Sequence, residues 1–117
     1  MKPTKYSFLA TDKIDLGTKI IYKYPTPTKA LDIGKMIVNG RHPKGKNSFV
    51  VENECTFVMY VTKGKGIVYA GSETFQVGVG DVIFVPKKNP FAVEGTLEYI
   101  TVDTPAFSLE QSQEVNN

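Results

Sequence analysis

The sequence predicts a single all-β domain, a small sandwich or barrel, and three observations carry that expectation. Apolar, β-branched runs of strand length recur along the chain. Gly, Pro and Asn turn signals separate them at intervals of about 8–12 residues. No stretch carries the apolar stripe of an amphipathic helix. The length of 117 residues suits one domain, and a core of that size forms without disulfide staples.

The elements follow in chain order. Residues 18–24 (TKIIYKY) and 31–39 (LDIGKMIVN) read as strands divided by Pro25-Thr26-Pro27. The segment 40–47 (GRHPKGKN), dense in Gly, Pro and Lys, reads as a loop. Residues 49–52 form a short strand and 56–63 (TFVMYVTK) a longer one, which Gly64-Lys65-Gly66 turns into a strand over 67–70. Gly71-Ser72 is a two-residue hairpin signal leading into 73–77. Two further strands cover 81–86 (DVIFVP) and 97–103 (LEYITVD). In the tail, Ser108 and Gln111 have the spacing of a capping box for a single helical turn, and 112–117 (SQEVNN) reads as a polar, frayed end.

Parity assigns faces. Phe57, Met59 and Val61 make a wholly apolar face that points inward, with Val58, Tyr60 and Thr62 outward. Phe75 and Val77 alternate with polar neighbours in the same way. Val82 to Val85 is apolar on both faces, so its outer side requires a cover. A second protomer in a two-fold dimer is the economical cover, and the N-terminal segment folding back is the other.

Composition narrows the function classes. Hydrophobic residues at 41% and charged residues at 22% are globular values. Fourteen basic against twelve acidic residues leave +2, too mild for a nucleic-acid or membrane surface. No apolar run has membrane-spanning length and the N-terminus lacks a signal-peptide core, so the expected location is the cytoplasm. One cysteine, Cys55, excludes an intrachain disulfide. One histidine, His42, excludes any two-imidazole metal motif or mechanism.

Tyr60 to Gly66 (YVTKGKG), Gly80 to Pro86 (GDVIFVP) and Asn89 to Phe91 (NPF) together resemble the cupin superfamily of jelly-roll β-barrels, over roughly residues 40–103. Such proteins carry a first motif, G-x5-H-x-H-x3/4-E-x6-G, and a second, G-x5-P-x-G-x2-H-x3-N. On the shorter spacing the first motif keeps Gly45 and Gly64 but places Val51, Asn53 and Phe57 at its ligand positions. On the longer spacing the histidine positions fall on Val50 and Glu52. The second motif keeps Gly80 and Pro86, with Lys88, Phe91 and Gly95 at its remaining positions. The scaffold residues are present and the metal-binding ones are not. The resemblance therefore implies a cupin-type jelly roll with no metal, no cofactor and no metal-dependent oxygenase or isomerase activity.

The barrel interior on that alignment is lined by Asn53, Phe57, Met59 and Phe91, either a mostly apolar ligand pocket or a packed core. Arg41 and His42 stand at its mouth, either as an anion clamp and general base or as ordinary loop residues. Cys55 reads as a half-buried core thiol, since nothing in the sequence places a base beside it. Tyr60, Glu98 and Tyr99 offer polar groups whose face the sequence leaves undecided. The leading expectation is a metal-free protein binding a small organic ligand through Arg41, His42, Asn53, Phe57, Met59 and Phe91. The alternatives are a metal-independent isomerase, epimerase or lyase using His42, and a structural protein with a filled barrel.

Overall fold

A computed structural model describes residues 1–116. The chain is almost entirely strand: β1 (Asp12–Asp15), β2 (Lys19–Lys23), β3 (Asp32–His42), β4 (Ser48–Glu52), β5 (Thr56–Ala70), β6 (Glu73–Gly78), β7 (Val82–Val85), β8 (Pro90–Thr104) and β9 (Ser112–Asn116). Two 3-10 turns, Phe8–Ala10 and Leu109–Gln111, are the only helical pieces among the described residues. All neighbouring strands pair antiparallel in one curled sheet of order β1-β2-β3-β8-β4-β9, with β5 alongside β8 and carrying β6 and β7 on its far edge. No helix among the described residues is long and apolar enough to cross a membrane.

The expected alternation holds in β5, where Phe57, Met59 and Val61 are buried and Val58 and Tyr60 are not. They join Met36, Val38, Val68, Val93, Leu97 and Tyr99 in one core. Phe75 departs from its parity partner Val77: it is 38% exposed although its cross-strand partner Val68 is buried in the core. Ile83 and Val85 are buried while Val82 and Phe84 face out beside Tyr60 and Val58, so this apolar outer face is real. The N-terminal segment does not cover it. Phe8 instead packs on Tyr22 of β2, ring centroids 4.9 Å apart, beneath the Lys35 ammonium.

Three boundaries differ from expectation, each for a tertiary reason. Gly64-Lys65-Gly66 makes no turn; β5 passes straight through with an irregularity between Val61 and Lys63. Its glycines let two backbones approach: a Cβ on Gly64 or Gly66 would collide with the carbonyls of Thr96 or Glu94, and one on Gly95 would lie 2.7 Å from Gly66 Cα. β8 likewise starts at Pro90, well before Leu97, because β4 and β5 supply partners for its first half. In the tail the expected single helical turn is present as Leu109–Gln111, but the capping box and the frayed end are not. Ser108 makes no side-chain cap, Gln111 is buried, and Ser112–Asn116 pairs with β4 as an edge strand. Asn117 lies outside the described residues.

Candidate functional site

Strand alternation builds the site. Along β3 the even residues point inward, giving Asp32, Gly34, Met36, Val38 and, at the far end, His42. Along β8 the odd residues do so, and register sets them opposite: Asp103 faces Asp32, Thr101 faces Gly34, Tyr99 faces Met36 and Val93 faces His42. Phe57 lies opposite Asp103 in the pairing of β5 with β8, yet its ring meets that of Phe91 edge-on at 5.1 Å. The two ends of β8 therefore curl toward each other, and His42 and Asp103 line the same interior.

That interior holds a cavity of about 400 Å³, within the usual range for small-molecule sites. Its walls are mainly apolar, from Ile21, Met36, Phe57, Phe91 and Phe107. Set into them are Lys19, Lys23, Asp32, His42, Glu52, Tyr99, Thr101, Asp103 and Glu114. The Tyr99 phenol and the Thr101 hydroxyl are buried with no hydrogen-bond partner. Leaving a buried hydroxyl unpaired costs about 1–3 kcal/mol, so two side by side in a cavity wall mark a place for polar atoms of a ligand or of water.

His42 belongs to β3 rather than to a loop. Burial, helped by the positive charges of Lys19 and Arg41, lowers its pKa to about 4, so the imidazole is neutral at physiological pH. Asp103 moves the other way. Burial, a hydrogen bond with Asp32 and the nearby negative charges of Asp32 and Glu52 raise its pKa to about 8 against the pull of Lys19. Asp32 is held by Lys23 at 3.3 Å and by the Phe107 N–H, which donates to its carboxylate at 2.9 Å. Glu52 is fastened from outside: the Gln111 amide donates to one oxygen and Ser112 Oγ to the other at 2.9 Å.

The residues expected at the site divide. His42, Phe57 and Phe91 line the cavity. Met59 is fully enclosed in the core and does not reach it. Asn53 belongs to the link between β4 and β5, where its amide donates to the Gln111 carbonyl at 2.9 Å. Arg41 cannot join His42 in a clamp, because adjacent strand residues point to opposite faces. Its guanidinium instead donates to the carbonyls of Pro43, Gly45 and Ser48 and stacks on Phe49 and Tyr69. Cys55 is buried, donates to the Pro105 carbonyl at 3.3 Å, and has its pKa pushed up to about 11, chiefly by burial, which makes it an inert thiol. Of the three undecided polar residues, Tyr99 faces inward, Tyr60 is half exposed, and Glu98 pairs outside with Lys35 at 3.4 Å.

Sequence reasoning missed Asp32, Thr101, Asp103, Lys19 and Lys23. A signal was present in the inward parity of 99, 101 and 103, but it needed the pairing of β8 with β3 to be readable.

The positions that a cupin metal centre would use can be tested directly. Val50, Glu52, Phe57 and Phe91 all face the cavity, so the longer spacing of the first motif is the one that matches the strand faces. They offer one carboxylate, already bonded to Gln111 and Ser112, among three hydrocarbon side chains. This donor set does not fit a divalent ion.

No protein-family model matches the chain, and no curated protein matches it by sequence. Solved structures do. The fold is the cupin-type β-barrel that these structures share, here with a cavity in its interior. Among its structural neighbours is Streptomyces Pac13, described as a unique nucleoside dehydratase, at 20% identity over 98% of this chain and 92% of that one, with a TM-score of 0.87. A tyrosine-to-phenylalanine variant of that protein, solved with uridine, superposes equally well at 21% identity, covering 99% of this chain and 93% of that one. The cupin domain of Schizosaccharomyces pombe Cnp3 matches at a TM-score of 0.68 and 12% identity over 86% of this chain and 73% of that one.

Proposed function

We propose that this protein binds a small, uncharged, hydroxyl-bearing organic molecule of nucleoside or sugar type in the cavity and acts on it as a metal-independent lyase. One observation carries the reading: a neutral, inward-facing His42 shares a cavity with two buried hydroxyls that lack partners. An unprotonated imidazole is the form that accepts a proton from carbon or oxygen. Tyr99 and Thr101 are placed to orient ligand oxygens, and Phe57 and Phe91 offer faces for a planar or apolar part of the ligand. The likeness to a nucleoside dehydratase, whose solved variants include one with uridine and a histidine-to-glutamine change, supports the same class of ligand and chemistry.

Charge favours an uncharged ligand. Arg41 lies outside the cavity, its guanidinium occupied by three backbone carbonyls. Lys23 is paired with Asp32, and Glu52 and Glu114 add negative charge to the wall. A phosphorylated ligand would meet little free cation beyond Lys19.

The test is calorimetric titration of uridine, simple aldoses and hydroxy acids, followed by incubation in D2O with proton NMR. Saturable binding of at least one member is expected, with loss of a C–H signal or appearance of a dehydrated product. His42→Asn should retain binding within a few-fold and lose the exchange. No saturable binding across the set would overturn the reading. The reading also includes a two-fold dimer through the outward face of β5 and β7, where Val58, Tyr60, Val82 and Phe84 form an apolar patch. Sedimentation of the wild type against Phe84→Glu tests that part.

A further inference from the structure

The inward row of β8 ends in an arrangement that the chemistry above does not use. Asp103, half-buried, lies directly across from the buried Asp32, two carboxyl side chains in register, and the next inward residues are Thr101 and Tyr99 with their unpaired hydroxyls. Two carboxylates this close do not both stay ionised when buried. Asp32 is the member fixed as the anion, because Lys23 and the Phe107 N–H both bind its Oδ2. Among the described residues no ion pair holds Asp103, which faces the cavity.

We propose that Asp32 and Asp103 form a one-proton carboxyl pair, and that Asp103 presents this proton to an oxygen atom of the bound ligand, beside Thr101 and Tyr99. The inference rests on the preceding reading of a hydroxylated ligand and adds the proton donor that reading lacks. In an elimination the balance closes within the cavity. His42 takes the C–H proton, and that bond's electron pair forms the C=C. The hydroxyl leaves with the Asp103 proton as water, and the imidazolium returns its proton through water to the Asp103 carboxylate.

The charged and titratable groups around Asp103 are Asp32 and His42 on β3, Lys19 and Lys23 on β2, Glu52 on β4, Glu114 on β9 and the Cys55 thiol; Phe57 on β5 is apolar. The acidic neighbours favour protonation and Lys19 opposes it. Retention of the proton at neutral pH agrees with the raised pKa of about 8.

Two measurements test this on the full chain. In carboxyl carbon NMR, one aspartate should titrate near pH 8, the step should vanish in Asp103→Asn, and it should fall by one pH unit or more in Asp32→Asn. In calorimetry with uridine, wild-type affinity should drop about five- to tenfold from pH 6.5 to 8.8 as the donor ionises. Asp103→Asn, whose amide donates at every pH, should change less than twofold. An Asp103 step in the ordinary carboxylate range overturns the pair. Equal pH dependence in wild type and Asp103→Asn overturns its donation to the ligand. Failure of uridine to bind at either pH overturns the preceding reading instead, and the NMR step then decides the pair alone.

Discussion

Replacing Asp103 with asparagine should stabilise the protein at alkaline pH while leaving it unchanged in acid. The wild-type carboxyl has an ordinary pKa of 3.8 when unfolded and about 8 when folded. A raised folded value means that the native state binds the proton more tightly, so the stability it contributes is complete below pH 3.8 and is lost as pH rises through 8. Each tenfold change in proton affinity is worth about 1.4 kcal/mol, which sets a ceiling of about 6 kcal/mol. The proton belongs to a coupled pair whose other member is held by Lys23, so an effect of about 2–3 kcal/mol is the working figure. His42 has the opposite sign. Its pKa, lowered from 6.5 to about 4, makes the neutral form native, so its contribution is present above 6.5 and lost toward 4. The two slopes offset each other between about pH 4 and 6.5 and leave the Asp103 slope alone from 6.5 to 8. Urea denaturation at pH 5, 6.5, 8 and 9 checks this. The wild type should weaken from 6.5 to 9 while Asp103→Asn stays level and exceeds it at pH 8 and 9. Parallel curves for the two proteins, or a variant less stable at pH 8, would refute the reasoning.

Four further outcomes are expected. Tyr99→Phe removes a buried unpaired hydroxyl, so the unliganded protein should be equal or more stable by about 1 kcal/mol in thermal melts while uridine affinity falls about tenfold. Phe57→Ala breaks the edge-on ring pair with Phe91 beside an existing cavity and should cost about 2–4 kcal/mol in chemical denaturation. Gly95→Ala forces a side chain into φ +135° and against Gly66, so its expression or melting temperature should collapse rather than shift slightly. Arg41→Ala should lower stability by about 2 kcal/mol, through the released carbonyls of the 43–48 loop, yet leave uridine affinity within about threefold; a large affinity loss would restore Arg41 to the binding site.

The barrel class and the inward face of β5 were legible because a period of two survives on a strand with one buried face. The cavity residues were not, because their signal is cross-strand. Asp32 reads locally as a strand-end carboxylate and Asp103 as a polar residue before a turn; only the register of β3 with β8, 71 positions apart, makes them a pair. His42 was hidden by composition. Gly40, Pro43 and Gly45 surround it with loop signals, yet β3 continues to it because β8 pairs all the way to Val93. The tail misled for a similar reason. A polar run with no apolar alternation forms β9 because β4 offers it an edge.

The position of Tyr99 has an optical consequence. The chain contains no tryptophan and six tyrosines, so tyrosine dominates its near-ultraviolet absorption and emission. Tyr99 is the only one of the six that is fully buried, it stands in the cavity wall, and the Lys19 ammonium lies 5.8 Å from its ring centre. A ligand that bonds its phenol or displaces Lys19 changes the environment of that one chromophore. Occupancy of the cavity can therefore be followed without any label, as the part of the tyrosine spectrum that Tyr99→Phe removes.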